Sequence, residues 1–396
     1  MNGPLVLDLL LLLLLVGYAG TGFRQGLLVG AMSLLGFVVG AVAASQLLPL
    51  AVRGMSAGQG RSLLLLGGTV VAGVVAQAVL GALGGALRDR VTWRPARALD
   101  AATGLVGAVL ATALVVWVLA GAVRVSPFPT LSRVVADSRV VQVVDEVVPD
   151  GVSGPLDDFY ATVSGELFPT VFAGAEPVLP VQDPDPGVTQ AAAVLAAGAG
   201  VVRVSGQAEQ CGRGQEGSGF VVAPGRVVTN AHVVAGMTEP RVQVGGTGGG
   251  LAGTVVVFDP ARDLAVIDVP ELQVSPLKLG EPRGRGDDVA VAGYPLNGPY
   301  VVSAGRVRDV ISAVGEDIYA AEEVTREVYS LNATVRPGNS GGPVLDGAGE
   351  VVGVVFARGL DDASTGYAVT LAEAAPVLDL AADASGAVST GDCAPG

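Results

Sequence analysis

Four apolar runs occupy the first third of the chain, at about residues 4–22, 27–50, 62–87 and 101–123. Each is close to the roughly 20 residues that a helix needs to cross about 30 Å of hydrocarbon. A core helix of a water-soluble protein would carry a polar stripe at 3.6-residue spacing, and these runs carry almost none. The pattern predicts an all-α domain of four transmembrane helices over residues 1–125. Gly36, Gly40, Gly67, Gly73 and Gly81 permit close helix contact inside it. The first run has no basic stretch before it and is followed by three more, so it reads as a span rather than a signal peptide. Asp8 is expected at the membrane interface, and Gln77 is expected to bond between helices.

Beyond residue 125 the pattern changes twice. Residues 126–182 are punctuated by prolines at 127, 129, 149, 155, 169, 177 and 180, around short helical stretches such as 131–147. They read as a linker, ending at Asp183-Pro184-Asp185-Pro186-Gly187. Residues 183–396 then show short β-rich runs between Gly-rich turns: Val201–Ser205, Gly219–Val222, Val227–Thr229, Val242–Val244, Gly253–Phe258, Leu264–Val269, Val289–Ala292 and Val351–Phe356. Many short strands so spaced predict an all-β barrel or sandwich.

Charge divides the chain the same way. Residues 1–182 hold 10 basic and 11 acidic residues; residues 183–396 hold 13 and 26, a net of −13. An acidic second half argues against nucleic-acid binding, which needs basic patches to displace counterions. In the membrane part, Arg88, Arg90, Arg94 and Arg97 cluster in the third loop and Arg24 lies in the first. Arg53, Arg61, Arg124 and Arg133 lie on the opposite side. The cluster is a cytoplasmic signal, and it places both termini, and with them the second half, outside the cytoplasm.

Three segments of the second half carry chemistry. His232, the only histidine of the chain, sits in Val227-Val-Thr-Asn-Ala-His-Val-Val234. Ser340 sits in Arg336-Pro-Gly-Asn-Ser-Gly-Gly-Pro343. A serine hydroxyl becomes a nucleophile when a base takes its proton. It must also project from a tight turn whose backbone N–H groups, here those of Gly338 and Ser340, face the developing oxyanion. The third segment is Asp259-Pro-Ala-Arg-Asp-Leu-Ala-Val-Ile-Asp-Val269. A catalytic imidazole needs a carboxylate on Nδ1 to set its tautomer, and Asp263, at the entry to an apolar strand, is favoured over Asp259 and Asp268.

The order His, Asp, Ser with TNAHVV, DLAV and GNSGGP resembles the trypsin-fold serine proteases, nearest to their bacterial high-temperature-requirement branch. The resemblance covers about residues 188–396 and implies a chymotrypsin-like double β-barrel with His232 as general base, Asp263 as its orienter and Ser340 as nucleophile. Phe23-Arg24-Gln25-Gly26 and Arg97-Ala98-Leu99-Asp100 make the first part similar to the colicin V production protein family. Both parts together resemble the actinobacterial membrane-anchored acid-resistance serine protease. That resemblance implies a multi-pass protein of the cell (inner) membrane with a periplasmic protease domain and a role in acid and oxidative stress. A PDZ domain, usual in that branch, is not expected after the barrel. Asn339 carries no charge for the ion pair that an aspartate there forms with a newly cleaved amino terminus, so activation by that route is not expected.

Further expectations follow from position. Thr334, Phe356, Ala357, Arg358 and Thr365 are expected to wall the substrate pocket; none is an acid, so a preference for Lys or Arg is not supported. Cys211 and Cys393 are too far apart for a CxxC motif, and their places at the two ends of the protease domain suggest one disulfide. That bond is expected to restrain the 356–368 region. No cofactor or metal is expected. The partners are protein or peptide substrates in the envelope and the lipid bilayer, with the protease domain itself monomeric. The competing reading is a catalytically weak protease-fold module that senses or binds.

Overall fold

A computed structural model describes residues 3–52, 55, 59–90, 93–124, 131, 134–135, 137–147, 171–172, 176, 178–208, 213–246, 250–359, 362 and 364–394. The chain divides into two compact units, Met1–Gly165 and Glu166–Gly396.

The first unit is built on α1 (Gly3–Gln25), α2 (Leu27–Ala51), α3 (Gln59–Arg88) and α4 (Arg94–Arg124). All four are long and apolar enough to cross a membrane, with mean hydropathies of 2.1 to 2.4 over their best windows. Their outward positions are apolar: Leu13 is 69% and Val16 71% exposed. The FRQG and RALD segments meet at one point. The Asp100 carboxylate accepts from Arg88 Nε at 2.8 Å and from the Leu28 N–H at 3.1 Å. Arg88 also donates to the Arg24 carbonyl at 2.9 Å. Gly26, with φ of 84°, has Asp100 against the place a Cβ would occupy, so only glycine fits there. A short amphipathic helix, α5 (Arg139–Val147), closes the unit. Asp8 caps it, accepting from Ser138 Oγ at 2.6 Å and the Val140 N–H at 3.2 Å. The carboxylate expected to face water is thus spent on a helix N-terminus. Gln77 lines a cavity of about 650 Å³ among α1–α4, and among the described residues the expected bond from it to another helix is not seen. Residues 148–170 of the expected linker lie outside the described residues.

The second unit is all-β with short helices. Strands β1 (Val201–Ala208), β2 (Arg213–Ala223), β3 (Arg226–Thr229), β4 (Arg241–Val244), β5 (Leu251–Ala252), β6 (Thr254–Asp259) and β7 (Leu264–Asp268) form one antiparallel sheet in the order β5-β4-β1-β2-β3-β7-β6. Strands β8 (Asp288–Gly293), β9 (Val301–Glu316), β10 (Glu323–Asn332), β11 (Pro343–Leu345), β12 (Val351–Arg358) and β13 (Thr365–Thr370) close into a barrel. The helices are α6 (Ala192–Ala197), α7 (Ala231–Val234) and α8 (Leu371–Ala381). Of the two barrels expected, the second closes by hydrogen bonds and the first is a curled sheet.

Side-chain alternation explains how the two sheets share a core. On β7, Ala265 and Ile267 face the interior of the first sheet with Val204 and Val227. Their neighbours Leu264 and Val266 face the seam between sheets, with Phe220, Val228, Tyr294 and Phe356. The closed barrel has its own interior of Val289, Tyr329, Leu331, Val344 and Val355. Described residues of the expected linker, among them Phe172, Leu179 and Pro180, pack on this unit. Phe172 meets Tyr367 edge-on at 5.5 Å, and the carbonyls of Leu179 and Pro180 accept from Arg308 and Arg285 at 3.0 and 2.8 Å.

Candidate active site

The TNAH segment ends β3 and turns directly into α7, so His232 stands at the rim of the first sheet, its side chain 14% exposed. Asp263 occupies the turn between β6 and β7. It is wholly buried and takes φ of 56°, a left-handed conformation uncommon for a side-chain-bearing residue. Such strain persists where surrounding bonds over-determine it. Asn230, two residues before His232, donates from Nδ2 to the Asp263 carbonyl at 2.7 Å. The carboxylate faces the histidine: Oδ2 lies 2.7 Å from His232 Nδ1 and Oδ1 accepts the His232 N–H at 2.9 Å. Both oxygens are therefore committed to one residue. Asp268 pairs with Arg226, and Asp259 with Arg262 at 3.0 Å.

Ser340 comes from the other sheet, in the turn that enters β11, and is 3% exposed. The Pro337 carbonyl accepts from the Leu296 N–H at 2.7 Å. In a trans peptide the N–H points opposite to the carbonyl, so the Gly338 N–H is turned away from Leu296; Gly338 has φ of 89° to allow it. Among the described residues neither the Gly338 nor the Ser340 N–H donates to another group. Asn339 turns inward, its Oδ1 accepting the Arg336 N–H at 2.9 Å. Ser218 on β2 ties this turn to the first sheet. Its N–H donates to the Ser340 carbonyl at 2.8 Å and its hydroxyl to the Gly338 carbonyl at 2.6 Å. At Gly217 a Cβ would come within 2.7 Å of Val233 and 2.9 Å of the Ser340 carbonyl. The turn bearing His232 and the turn bearing Ser340 therefore converge on this one position.

The other expected site residues separate. Thr334, just after β10, is exposed, and Arg358, the last residue of β12, is half-buried. Phe356 and Ala357 present no surface and belong to the seam core, where the Arg326 guanidinium lies 5.8 Å above the Phe356 ring. Thr365 is also fully buried, its hydroxyl donating to Asp362 at 2.9 Å. Cys211 lies outside the described residues; among those described no cysteine is free. The tail before Cys393 runs away from residues 356–368. Val388 N–H donates to Val255 O at 2.9 Å, Gly236 N–H to Thr390 O at 3.1 Å, and Ala394 packs on Ala231 and Ala235 of the His232 segment. The restraint expected on the 356–368 region thus falls on the turn after His232. Ser218, Asn230 and Arg326 were not singled out from the sequence. Asn230 sits inside the TNAH motif, whereas nothing local marks the other two.

A curled antiparallel sheet and a closed barrel, with a buried Asp–His pair on one and a serine in a Gly-rich turn on the other, define a serine protease of the trypsin type. The comparisons agree. Residues 217–354 match the trypsin-like peptidase domain family, and residues 7–149 the colicin V production protein family. Over 392 residues the chain is 37% identical to serine protease Rv3671c of Mycobacterium tuberculosis, with 98% of each chain covered. A shorter likeness, 34% over 169 residues, covers 41% of this chain and 39% of putative serine protease HhoB of Synechocystis. The crystal structure of the Rv3671c protease in its active form matches with a TM-score of 0.53 and 42% identity, covering 56% of this chain and 97% of that one. The chain belongs to the family of serine protease Rv3671c.

Proposed function

We propose that this serine protease is a membrane-anchored endopeptidase in which Ser340 is the nucleophile, His232 the general base and Asp263 its orienter. The observation that carries the reading is the Asp263–His232 pair, 2.7 Å apart with the carboxylate fully buried. An ionised carboxylate on Nδ1 leaves Nε2 as the proton acceptor and stabilises the imidazolium once it forms. His232 takes the Ser340 proton as Oγ attacks the scissile carbonyl. The oxyanion then meets the Gly338 and Ser340 N–H groups, which need no reorganisation to receive it. His232 returns the proton to the leaving amine, and water repeats the cycle on the acyl-enzyme. Thr334 and Arg358, which keep accessible surface, are assigned to the wall of the substrate cleft.

The four apolar helices would hold the protease at the cell membrane. The Arg24 and Arg88 loops lie at one end of the helices, and their basic cluster would be cytoplasmic. That arrangement puts the protease outside, in an oxidising compartment that lets Cys211 and Cys393 pair. Envelope proteins or peptides would be the substrates, the unit would act as a monomer, and tolerance of acid and oxidative stress is the role the family resemblance supports. A fluorophosphonate probe applied to membranes tests the chemistry. We expect labelling of the wild-type chain and none of Ser340→Ala. Equal labelling of both removes Ser340 as nucleophile, and no labelling of either favours the catalytically weak binding module.

A further inference from the structure

Behind Asp263 lies a buried cation with no part in the chemistry described above. Arg326 projects from β10 of the closed barrel into the seam and is 3% exposed. Its Nε donates to the Ala261 carbonyl at 2.6 Å, two residues before Asp263, and its Nη2 donates to the Glu316 carbonyl at 3.0 Å. One planar guanidinium therefore joins the strained turn of the first sheet to the β9–β10 hairpin of the second, with the Phe356 ring below it. Asn230 fastens the same turn from the other side, through the Asp263 carbonyl.

Several carboxylates surround Arg326, and Asp263 acts on it most strongly. Burial pulls the guanidinium below its ordinary value, and four carboxylates oppose this: Asp263 first, then Asp317, Glu373 and Asp259. Arg262 engages Asp259 at 3.0 Å and Glu373 at 3.1 Å. Asp317 accepts from the N–H groups of Tyr319 and Ala321 in its own turn, at 3.1 and 2.8 Å. Asp263 is thus acted on by two groups of the same type of charge, Arg326, which is bonded to its turn at Ala261, and His232, when protonated, at 2.7 Å.

Resting on the triad reading above, we propose that Arg326 is the positioning residue of the Asp263 turn, and that its buried charge keeps His232 a usable base further into acid. Like charges across a buried carboxylate compete for it, so Arg326 disfavours imidazolium formation before substrate is attacked. The guanidinium also holds the turn that carries Asp263, through the Ala261 carbonyl.

Because the chain has a single histidine, its titration can be read directly. Full-length chain labelled with ¹³C at histidine Cε1 would be titrated in detergent as wild type, Arg326→Gln and Arg326→Lys, with the acid limb of kcat/KM measured in parallel. We expect Arg326→Gln to move both the imidazole midpoint and the acid limb upward by about one pH unit. Arg326→Lys should keep the wild-type midpoint but lose roughly 3- to 10-fold in kcat, since an ammonium cannot span both carbonyls. An unchanged midpoint in Arg326→Gln overturns the electrostatic role. Should that variant not accumulate, a Lys variant with wild-type kcat, or with a displaced midpoint, overturns the proposal. Fluorophosphonate labelling of Ser340 in the wild type separates the two ideas: its absence counts against the protease reading, while the titration still reports on Arg326.

Discussion

Asp263 combines full burial, a left-handed backbone and two hydrogen bonds to one histidine. Replacing it by Asn keeps the shape but offers Nδ1 a donor in place of an acceptor, so the wrong tautomer is held. Turnover should fall by about 10⁴-fold with little loss of folded protein, as read by kcat and thermal melting side by side. Asp362 is a second carboxylate whose surroundings matter. The Ser364 N–H, first among several donors, holds it below the ordinary carboxylate value. A depressed value means stability that is present above the unfolded value, about 3.9, and is lost only as pH falls through the folded one. The 362–365 turn, with Thr365 bonded to it, should therefore stay intact in moderate acid. Amide protection factors of the turn in the full-length chain, corrected for the intrinsic exchange rate at each pH, should be the same at pH 5 and pH 7, and Asp362→Ala should lower them at both.

At the scale of elements, the carboxyl-terminal tail is the piece whose role differs most from its apparent one. After α8 it crosses the first sheet, and Thr390 alone engages three groups: its carbonyl accepts from Gly236 N–H and Tyr319 OH, and its hydroxyl donates to Met237 O. These contacts brace the turn that follows His232. A Cys211–Cys393 bond would fasten this strap, closing a loop of about 180 residues worth roughly 4–5 kcal/mol in chain-entropy terms. Cys393→Ser, or reduction of the wild type, should lower the melting temperature and kcat together. Non-reduced mass spectrometry checks the bond itself, and free alkylation of both thiols in native membranes would remove it. The long β9–β10 hairpin was not anticipated, although 16 and 10 residues take part. Its strands carry charged residues such as Arg306, Asp309, Glu323 and Glu327, because one face meets solvent, and so lack the apolar runs by which the other strands are recognised.

At the scale of the whole molecule, the residues proposed to act in catalysis come from two sheets that meet along the seam. His232 and Asp263 belong to the first and Ser340 to the second; Ser218 bonds across between them, and the proposed role of Arg326 would add to that alignment. The segment before α6 contributes to this packing: Val171 is 3% exposed and Phe172 rests on Tyr367. A fragment 166–396 should therefore melt higher than 183–396. Losing about 3 kcal/mol of apolar burial lowers the midpoint by roughly 6–12 °C in a domain of this size. Equal melting temperatures would show that residues 171–182 contribute nothing.

Much of this protein is written locally. Four spans of unbroken apolar sequence, a strand alternation of period two, and three short motifs each carry their meaning within about ten residues. Strand twist, side-chain periodicity and the geometry of a tight turn act over that distance. The pairings of those motifs are another matter. Nothing near Arg326 in the sequence marks it as the cation behind Asp263, 63 positions away in the chain, and nothing near Ser218 shows that it bonds the Ser340 turn. Phe356, Ala357 and Thr365 were near enough in sequence to be assigned to the pocket. Which face of β12 and β13 turns to the core follows from barrel closure and a register shift between Val355 and Ala357. Adding one residue to one strand of an antiparallel pair re-aims the side chains beyond it, so those orientations exist only once both strands are paired.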